Sequence, residues 1–576
     1  LIKLLKYLRP FATVVGFILA LVLVQALADL YLPTLMADIV DVGVVQNNID
    51  YIWRVGGFML LVAAGSAASS IVANFLSAQT ASGFGRNLRT RVFSHVTGFS
   101  LAEFDKLGTA TLITRTTNDI SQVQQVLIMV LRIMIYAPLL GIGGIFMAVA
   151  LDAELSLVLV VVVPLLVGLI AIISIKAVPL FRAMQLKLDR VNLVLRENLT
   201  GIRVIRAFNR EKYERVRFDD ANRDLTNTAI RVNRLMAFVM PLVMILMNLT
   251  SVAIIWFGGI RISNGGMQVG ALIAFLQYAM QIMFSVLMLS FLLVMIPRAQ
   301  ASAVRINEVL DMLPEINDPV SPKNLVSQRS SLEFRDVTFS YPGAEAPAIT
   351  NISFSARAGE VIAIIGGTGS GKSTLINLIP RFYDIESGSI LVDGVDVREV
   401  EQESLRSRIG LVPQQAVLFS GTITDNIKFG KEDAGSEEIE SAAETAQALE
   451  FISTMEGGFD SLISQGGTNV SGGQKQRLAI ARALVRHPEI YLFDDSFSAL
   501  DFKTDAKLRS ALRKVTTASI VIIVAQRVST VLNADQILVL DDGRIVGSGK
   551  HKELLKTSEV YREIVASQLS EEELAA

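Results

Sequence analysis

Six stretches of the chain stay apolar around the whole helical circumference for the roughly 20 residues a bilayer crossing needs. They lie near 12–36, 55–80, 127–150, 155–175, 236–261 and 270–296. The fourth reads LSLVLVVVVPLLVGLIAIISI. A buried helix of a soluble protein rarely stays apolar on every face for that length. The connections between these runs alternate in charge. Lys3, Lys6 and Arg9 precede the first run; Arg86, Arg89, Arg91, Lys106 and Arg115 fall in 81–126; fourteen Lys or Arg fall in 176–235. The opposite connections hold Arg54 alone in 37–54, none in 151–154, and Arg261 at the margin of 262–269. Basic loops stay cytoplasmic. The pattern therefore predicts a multi-pass protein of the plasma (inner) membrane with a cytoplasmic N-terminus, its sixth span returning the chain to the same side.

The two long basic connections keep helix-forming composition and apolar periodicity, as in AMQLKLDRVNLVLRENLTGIRVIRAF. Their helices are expected to run on out of the bilayer, about 30 Å for every 20 residues. After Pro297 the character changes. A helix through ASAVRINEVLDML leads into PEINDPVSPKNLVSQRSS, an exposed linker rich in Pro, Ser and Asn. Short β-branched strands then alternate with helices: LEFRDVTFSY, VIAIIG, GLVPQ, IYLFDD, SIVIIVAQ and QILVLDDGRIV. They predict a mostly parallel sheet flanked by helices, with a helical insert near 430–490. The expected organisation is a transmembrane domain over 1–312, a linker over 313–331 and an α/β nucleotide-binding domain with a helical subdomain over 332–576.

Composition narrows the reading. Hydrophobic residues make up 51% and mean hydropathy is +0.47, as six spans require. The net charge of −2 is too balanced for a nucleic-acid ligand. There is no cysteine, which excludes disulfides and thiolate zinc sites, and His95, His487 and His551 are scattered. The chain begins at Leu1 rather than Met, so further residues are expected ahead of it, and no cleavable signal pattern is visible.

The chemistry sits in the second half. GGTGSGKST follows the strand VIAIIG and opens a helix, the context in which a phosphate loop works. Gly366, Gly367, Thr368, Gly369, Ser370 and Gly371 would wrap backbone N–H groups around phosphate oxygens. Lys372 would meet the outer phosphates, and Ser373, followed by Thr374, would ligate Mg²⁺ at a helix N-terminus that favours anions. The apolar strand IYLFDD ends in Asp494, which places a carboxylate at the metal.

Between these two elements lies VSGGQKQRLAIARAL. With it the chain closely resembles an ABC exporter half-transporter, the membrane domain first, over essentially its whole length. FDKLGTATLITRTTNDI and ENLTGIRVIRAFNRE also resemble that family's two cytoplasmic coupling regions. The resemblance implies that Tyr341 stacks on adenine and that Gln414 senses Mg²⁺ and the membrane domain. Ser471, Gly472, Gly473 and Gln474 would be the signature that covers nucleotide held by the opposite subunit. Ser498–Asp501 matches the segment linking two ATP sites, with Asp501 at its end.

Two positions depart from the family. Asp495 stands where a Glu normally polarises the attacking water, and Gln526 where a His normally meets the γ-phosphate. Gln465 and Gly367 also replace commoner residues, without a functional meaning being attached. An intact signature beside an altered own site resembles the degenerate-site subunit of heterodimeric bacterial multidrug exporters. That implies ATP and Mg²⁺ as ligands, impaired hydrolysis at this chain's own site, and a non-identical partner half-transporter carrying Glu and His at the matching positions. Met236, Met240, Met244, Met247, Met280, Met283, Met288 and Met295, with Asn248, Gln277, Tyr278 and Gln281, give spans five and six the makings of a permissive cavity for a small amphipathic substrate. Asp29 and Arg132 are intramembrane charges, a default mark of function or of an interface; Asp38 and Asp41 suggest an outer gate or a solvated loop. A lipid flippase or peptide exporter is the alternative within transport, and an ATP-gated channel or membrane regulator the alternative outside it.

Overall fold

The structure, a computed structural model, describes residues 2–325 and 330–568, apart from the side chains of 293 and 294. The linker expected over 313–331 thus lies partly outside the described residues. The chain forms two compact units. One comprises the chain up to Thr97 together with Ala110–Met312; the other comprises Gly98–Thr109 together with the chain from Leu313 onward.

The first unit is helical, and six of its helices are long and apolar enough to cross a membrane. After a basic 3₁₀ segment Ile2–Phe11 come α1 (Ala12–Asp38) and α2 (Ile49–Val96). The short helix α3 (Leu101–Leu107), which belongs to the second unit, is followed by α4 (Thr109–Thr114), a π-helical turn Arg115–Asp119 and α5 (Ile120–Leu151). Then follow α6 (Leu157–Thr200), the single-turn α7 (Ile202–Ala207), α8 (Glu211–Ser263) and α9 (Val269–Asp311). At 53 residues, α8 is about 80 Å long against a hydrocarbon core of about 30 Å. Its N-terminal half is rich in Arg, Asp and Glu, as the extended-helix reading requires.

Helices α1, α2, α5 and α9 pack on one another, whereas α6 and α8 pair together and meet the rest chiefly through α9. Small residues allow the close approaches: a Cβ at Gly143 would meet Leu30 and one at Gly144 would meet Ile282. Leu30, Ala148, Ile254, Phe275, Tyr278 and Ile282 form a buried cluster there. Large apolar side chains elsewhere, such as Val160, Val161 and Trp256, point outward and exposed, which suits lipid or another chain rather than water.

Asp41 has a definite job. Its carboxylate accepts the N–H groups of Gly270 at 2.6 Å and Ala271 at 3.2 Å, capping the start of α9 where exposed N–H groups and the helix dipole favour an anion. Gly270 must be glycine, because a Cβ would lie 2.3 Å from the Ala37 carbonyl. Replacing Asp41 by Ala is expected to cost about 1–2 kcal/mol, read as a lower thermal midpoint, with Asp41→Asn, which keeps one accepting oxygen, losing less. An unchanged midpoint for the Ala variant would remove this role.

The second unit holds three sheets. β1 (Ser331–Phe339), β2 (Ile349–Arg357), β4 (Ser387–Val392) and β5 (Val395–Asp396) form an antiparallel sheet in the order β2-β1-β4-β5. The main sheet has the order β12-β11-β3-β10-β9-β6, built from β3 (Val361–Gly366), β6 (Ile409–Val412), β9 (Ile490–Asp494), β10 (Ile520–Val524), β11 (Gln536–Asp541) and β12 (Arg544–Gly549). A two-stranded piece pairs β7 (Gly421–Thr422) with β8 (Leu462–Ile463). The parallel core agrees with the sequence reading. The stretch QILVLDDGRIV is not one strand, however: Asp542 and Gly543 both take positive φ and fold it into the antiparallel β11–β12 hairpin. Buried Ile364, Leu492, Ile522 and Leu538 join both sheets in one core.

Candidate functional site

Three strands of the main sheet deliver the site at their C-terminal ends. β3 is buried along its length and ends at Gly366, and the chain then turns through Gly369 and Gly371, with φ of 84° and 95°, into α10 (Lys372–Leu378). Only glycine takes those angles without strain, and a Cβ at Gly371 would also strike the Ala348 carbonyl at 2.8 Å. The Lys372 ammonium folds back into this loop. It donates to the Gly366 carbonyl at 3.0 Å, the Gly367 carbonyl at 2.5 Å and Ser370 Oγ at 3.3 Å. Burial pulls its pKa down, against the upward pull of Asp495 and Asp494.

β9 brings Asp494 beside the loop, where its Oδ1 accepts from Ser373 Oγ at 3.1 Å. Burial, and secondarily Asp495, push the Asp494 carboxyl up, with Ser373 and Lys372 opposing. Two hard oxygen donors side by side at a helix N-terminus are the donor chemistry Mg²⁺ prefers, so the residues present fit that ion. Gln414 lies at hydrogen-bond limit, 3.5 Å from Asp495 Oδ2.

Asp495 follows β9 with φ 44°, a left-handed conformation that Asp tolerates better than most residues. Its N–H donates to the Val524 carbonyl at 3.0 Å, and burial raises its carboxyl pKa against Ser498, Gln414 and the Gln526 backbone. Gln526 is exposed and comes from the end of β10. Its carbonyl accepts Gln568 Nε2 at 2.8 Å, while Gln568 Oε1 accepts the Val528 N–H at 2.8 Å. Lys372, Ser373, Gln414, Asp494 and Asp495 thus converge on one side of the loop.

Tyr341 lies edge-on to Phe339 and Tyr383, with centroids 5.0 and 5.4 Å away, and its hydroxyl is 3.0 Å from Thr374 Oγ1. Tyr383 was not singled out in the sequence. It donates to Asp105 of α3 at 2.8 Å, and burial followed by Asp105 raises its pKa. Glu103 fastens the same segment: one oxygen accepts from Ser100 N and Oγ at 2.6 Å each, the other from Glu315 N at 2.8 Å. An unbroken helical pattern either side of FDKLG hid this docking. Removing the Tyr383 hydroxyl with Phe leaves a carboxylate without its donor. It should cost about 1–2 kcal/mol in stability of the second unit, measurable by chemical unfolding; no change would show that the bond contributes nothing.

The signature residues are placed apart from this cluster. Helices α11 (Gln402–Ser407), α12 (Ile423–Lys428), α13 (Ser436–Thr445) and α14 (Leu449–Thr454) precede α15 (Gly472–Leu484). Ser471 caps α15 reciprocally: its Oγ accepts from Gln474 N at 3.3 Å and its N–H donates to Gln474 Oε1 at 2.8 Å. Gly472 is exposed and Gly473 half-buried at the helix start. Asp501 caps α16 (Phe502–Val515) by accepting from Thr504 N at 2.9 Å. An exposed helix N-terminus with small residues suits an anion.

Known proteins resemble this chain in sequence and fold. The ABC transporter transmembrane region family matches residues 15–286 and the ABC transporter family matches residues 349–498. An uncharacterized ABC transporter ATP-binding protein of Mycobacterium tuberculosis (strain CDC 1551 / Oshkosh) is 45% identical across 98% of this chain and 97% of its own length. An ATP-dependent lipid A-core flippase of Desulfotalea psychrophila is 37% identical across 83% of each. The solved structure of a bacterial Atm1-family ABC exporter with ATP bound superposes with a TM-score of 0.80 at 27% identity, covering 97% of this chain and 99% of that one. With the membrane helices first and the nucleotide-binding-type α/β unit second, the chain belongs to the ABC transporter family as an exporter-type half-transporter.

Proposed function

We propose that this chain exports amphipathic, drug-like compounds by alternating access, as one subunit of a pair with a non-identical half-transporter. Its own ATP site binds tightly and turns over slowly, and its signature completes a competent site on the partner. The observation that carries this is the pairing of Asp495 and Gln526 in the own site with the intact cap from Ser471 to Gln474. Asp495 is one methylene shorter than Glu, and a displacement of about 1 Å can cost on the order of 100-fold in rate. Gln526 can hydrogen-bond a γ-phosphate but cannot turn cationic near neutral pH. The partner is expected to carry Glu and His at the matching positions.

Within the site, the loop from Gly366 to Gly371 and Lys372 bind and orient the phosphates, Tyr341 offers a ring face to the base, and Ser373, Asp494 and Gln414 would hold Mg²⁺. Bound there, Mg²⁺ supplies charge neutralisation to the phosphate oxygens. Closure of the paired nucleotide domains around ATP would invert the access equilibrium; moving 1:99 to 99:1 needs about 5.5 kcal/mol of differential binding. Both ends of the chain lie in the cytoplasm of the inner membrane in this reading. The chain purified without its partner should hydrolyse ATP barely above background, and brisk turnover by that sample would defeat the proposal. A second reading, movement of a lipid, is favoured by the flippase relatives; comparing lipids with drugs as stimulants of ATP turnover by the pair decides between them.

The raised carboxyls give the site a pH signature. A carboxyl pKa above its ordinary value means the folded chain takes up a proton more readily than the unfolded one. Ionisation of Asp494 and Asp495 therefore costs stability at neutral pH, and acidification relieves it. Metal binding runs the opposite way, since it needs the charged form. Mg²⁺-dependent nucleotide affinity should start to fall at milder acidity than an ordinary carboxylate near pH 4 dictates. Asp494→Asn should weaken affinity and flatten the profile; an unaltered profile would exclude Asp494 as the titrating ligand.

A further inference from the structure

The six apolar spans contain one carboxylate, Asp29 on α1, and one guanidinium well inside them, Arg132 on α5. Asp29 is half-buried where four helices meet. Its Oδ1 accepts from Ser66 Oγ of α2 at 2.6 Å and its Oδ2 from the Tyr136 hydroxyl of α5 at 2.5 Å. Gln281 of α9 donates through Nε2 to the Asp29 carbonyl at 3.0 Å. Just beyond, the Tyr278 hydroxyl donates to the Leu30 carbonyl at 2.7 Å.

Two hydroxyl donors leave about half of a carboxylate's acceptor capacity unused. Among the described residues, no Lys, Arg or His nitrogen comes within ion-pair distance of Asp29. Arg132 sits one turn before Tyr136 and makes no ion pair among them either. An uncompensated carboxylate at this depth is costly and needs a reason. Structural polar glue would be served by Asn, which carries no charge to desolvate.

Gln281 supplies the second observation. Its Oε1 is buried with no hydrogen-bond partner, and the residue also lines a cavity of about 500 Å³ between α8 and α9, with Ser251, Gln277, Met280 and Phe284. That volume is ligand-sized. The wall is mostly apolar, holds no charged side chain, and contains an adaptable methionine and an aromatic ring. An open apolar groove thus meets the Asp29 main chain through the Gln281 amide, while the Asp29 carboxylate, without a counter-charge, lies on the α2 and α5 side of the same residue.

We propose that Asp29 is the recognition carboxylate for a cationic amphiphile, a molecule bearing a quaternary or protonated nitrogen on an apolar body, with the α8–α9 cavity accepting the body. This rests on the export reading and names its substrate class. The alternative occupant of Asp29 is a proton alone, which would give no preference between a permanent cation and a neutral molecule of the same shape.

The test uses the complex of this chain with its native partner in phosphatidylcholine nanodiscs. The probes are a fluorescent quaternary-ammonium amphiphile and its neutral analogue with carbon in place of nitrogen. Equilibrium binding by the unaltered complex should favour the cation. Asp29→Asn should weaken the cation by about 10-fold or more and leave the neutral probe within about twofold, while Asp29→Glu keeps most of the preference. Ser66→Ala combined with Tyr136→Phe removes the two donors, keeps the charge, and should keep the preference. A lack of preference in the unaltered complex, or an Asp29→Asn effect equal on both probes, overturns the proposal. Asp29-dependent binding without ATP-driven movement of the cation into inverted vesicles would uphold this site and refute the export reading instead.

Discussion

Combining Asp495→Glu with Gln526→His in this chain is expected to raise hydrolysis at its own site by about 100-fold. The measurement is single-turnover ATP cleavage in a complex whose partner has lost its own catalytic Glu to Gln, so that only this site reports. The gain follows from two deficits. The Asp495 carboxylate starts from a backbone at φ 44° tied to Val524 by its N–H, so it cannot advance to replace the missing methylene. General-base positioning is worth about 100-fold to 10,000-fold, and reach is the property Glu restores. His restores a donor able to become cationic near neutral pH. A double variant no faster than the unaltered chain would mean that these residues do not limit the site.

The second large effect runs through the other end of the domain. Gly473→Glu should lower ATP turnover by the pair about 100-fold or more, the scale of losing an aligned donor to developing phosphate charge. A Cβ at 473 already lies 3.1 Å from the Ala499 carbonyl, and a carboxylate at the start of α15 opposes the anion that helix terminus favours. Nucleotide binding at the Lys372 loop should survive, which filter binding of labelled ATP reads directly. Lys372→Ala should do the reverse, losing bound nucleotide from this chain while part of the turnover persists. Equal loss in both variants would contradict the asymmetric assignment of roles.

Much of this was legible from the chain because two kinds of physics write strongly in sequence. A span must stay apolar for about 20 residues, so all six appeared as runs, and a phosphate loop needs glycine at fixed offsets, so Gly369 and Gly371 declared themselves. The antiparallel sheet of β1, β2 and β4 was mostly missed, because strands such as ITNISFSAR are half-exposed and carry no apolar run. Asp41 looked like a gate or a loop acid because a cap on α9 joins residues 229 positions apart. Tyr383 and Asp105 were invisible for the same reason: neither has a motif, and their contact spans 278 positions. Long-range pairing of ordinary residues leaves no local trace.

Gln568 holds the main chain on both sides of Arg527 through its carboxamide, and that small clasp has a practical side. A shortened version ending ahead of 568 would free the very stretch that presents Gln526. Purification handles or reporter fusions are better joined through a generous spacer than spliced directly onto the helix Glu559–Ala566, whose trailing turn supplies the clasp.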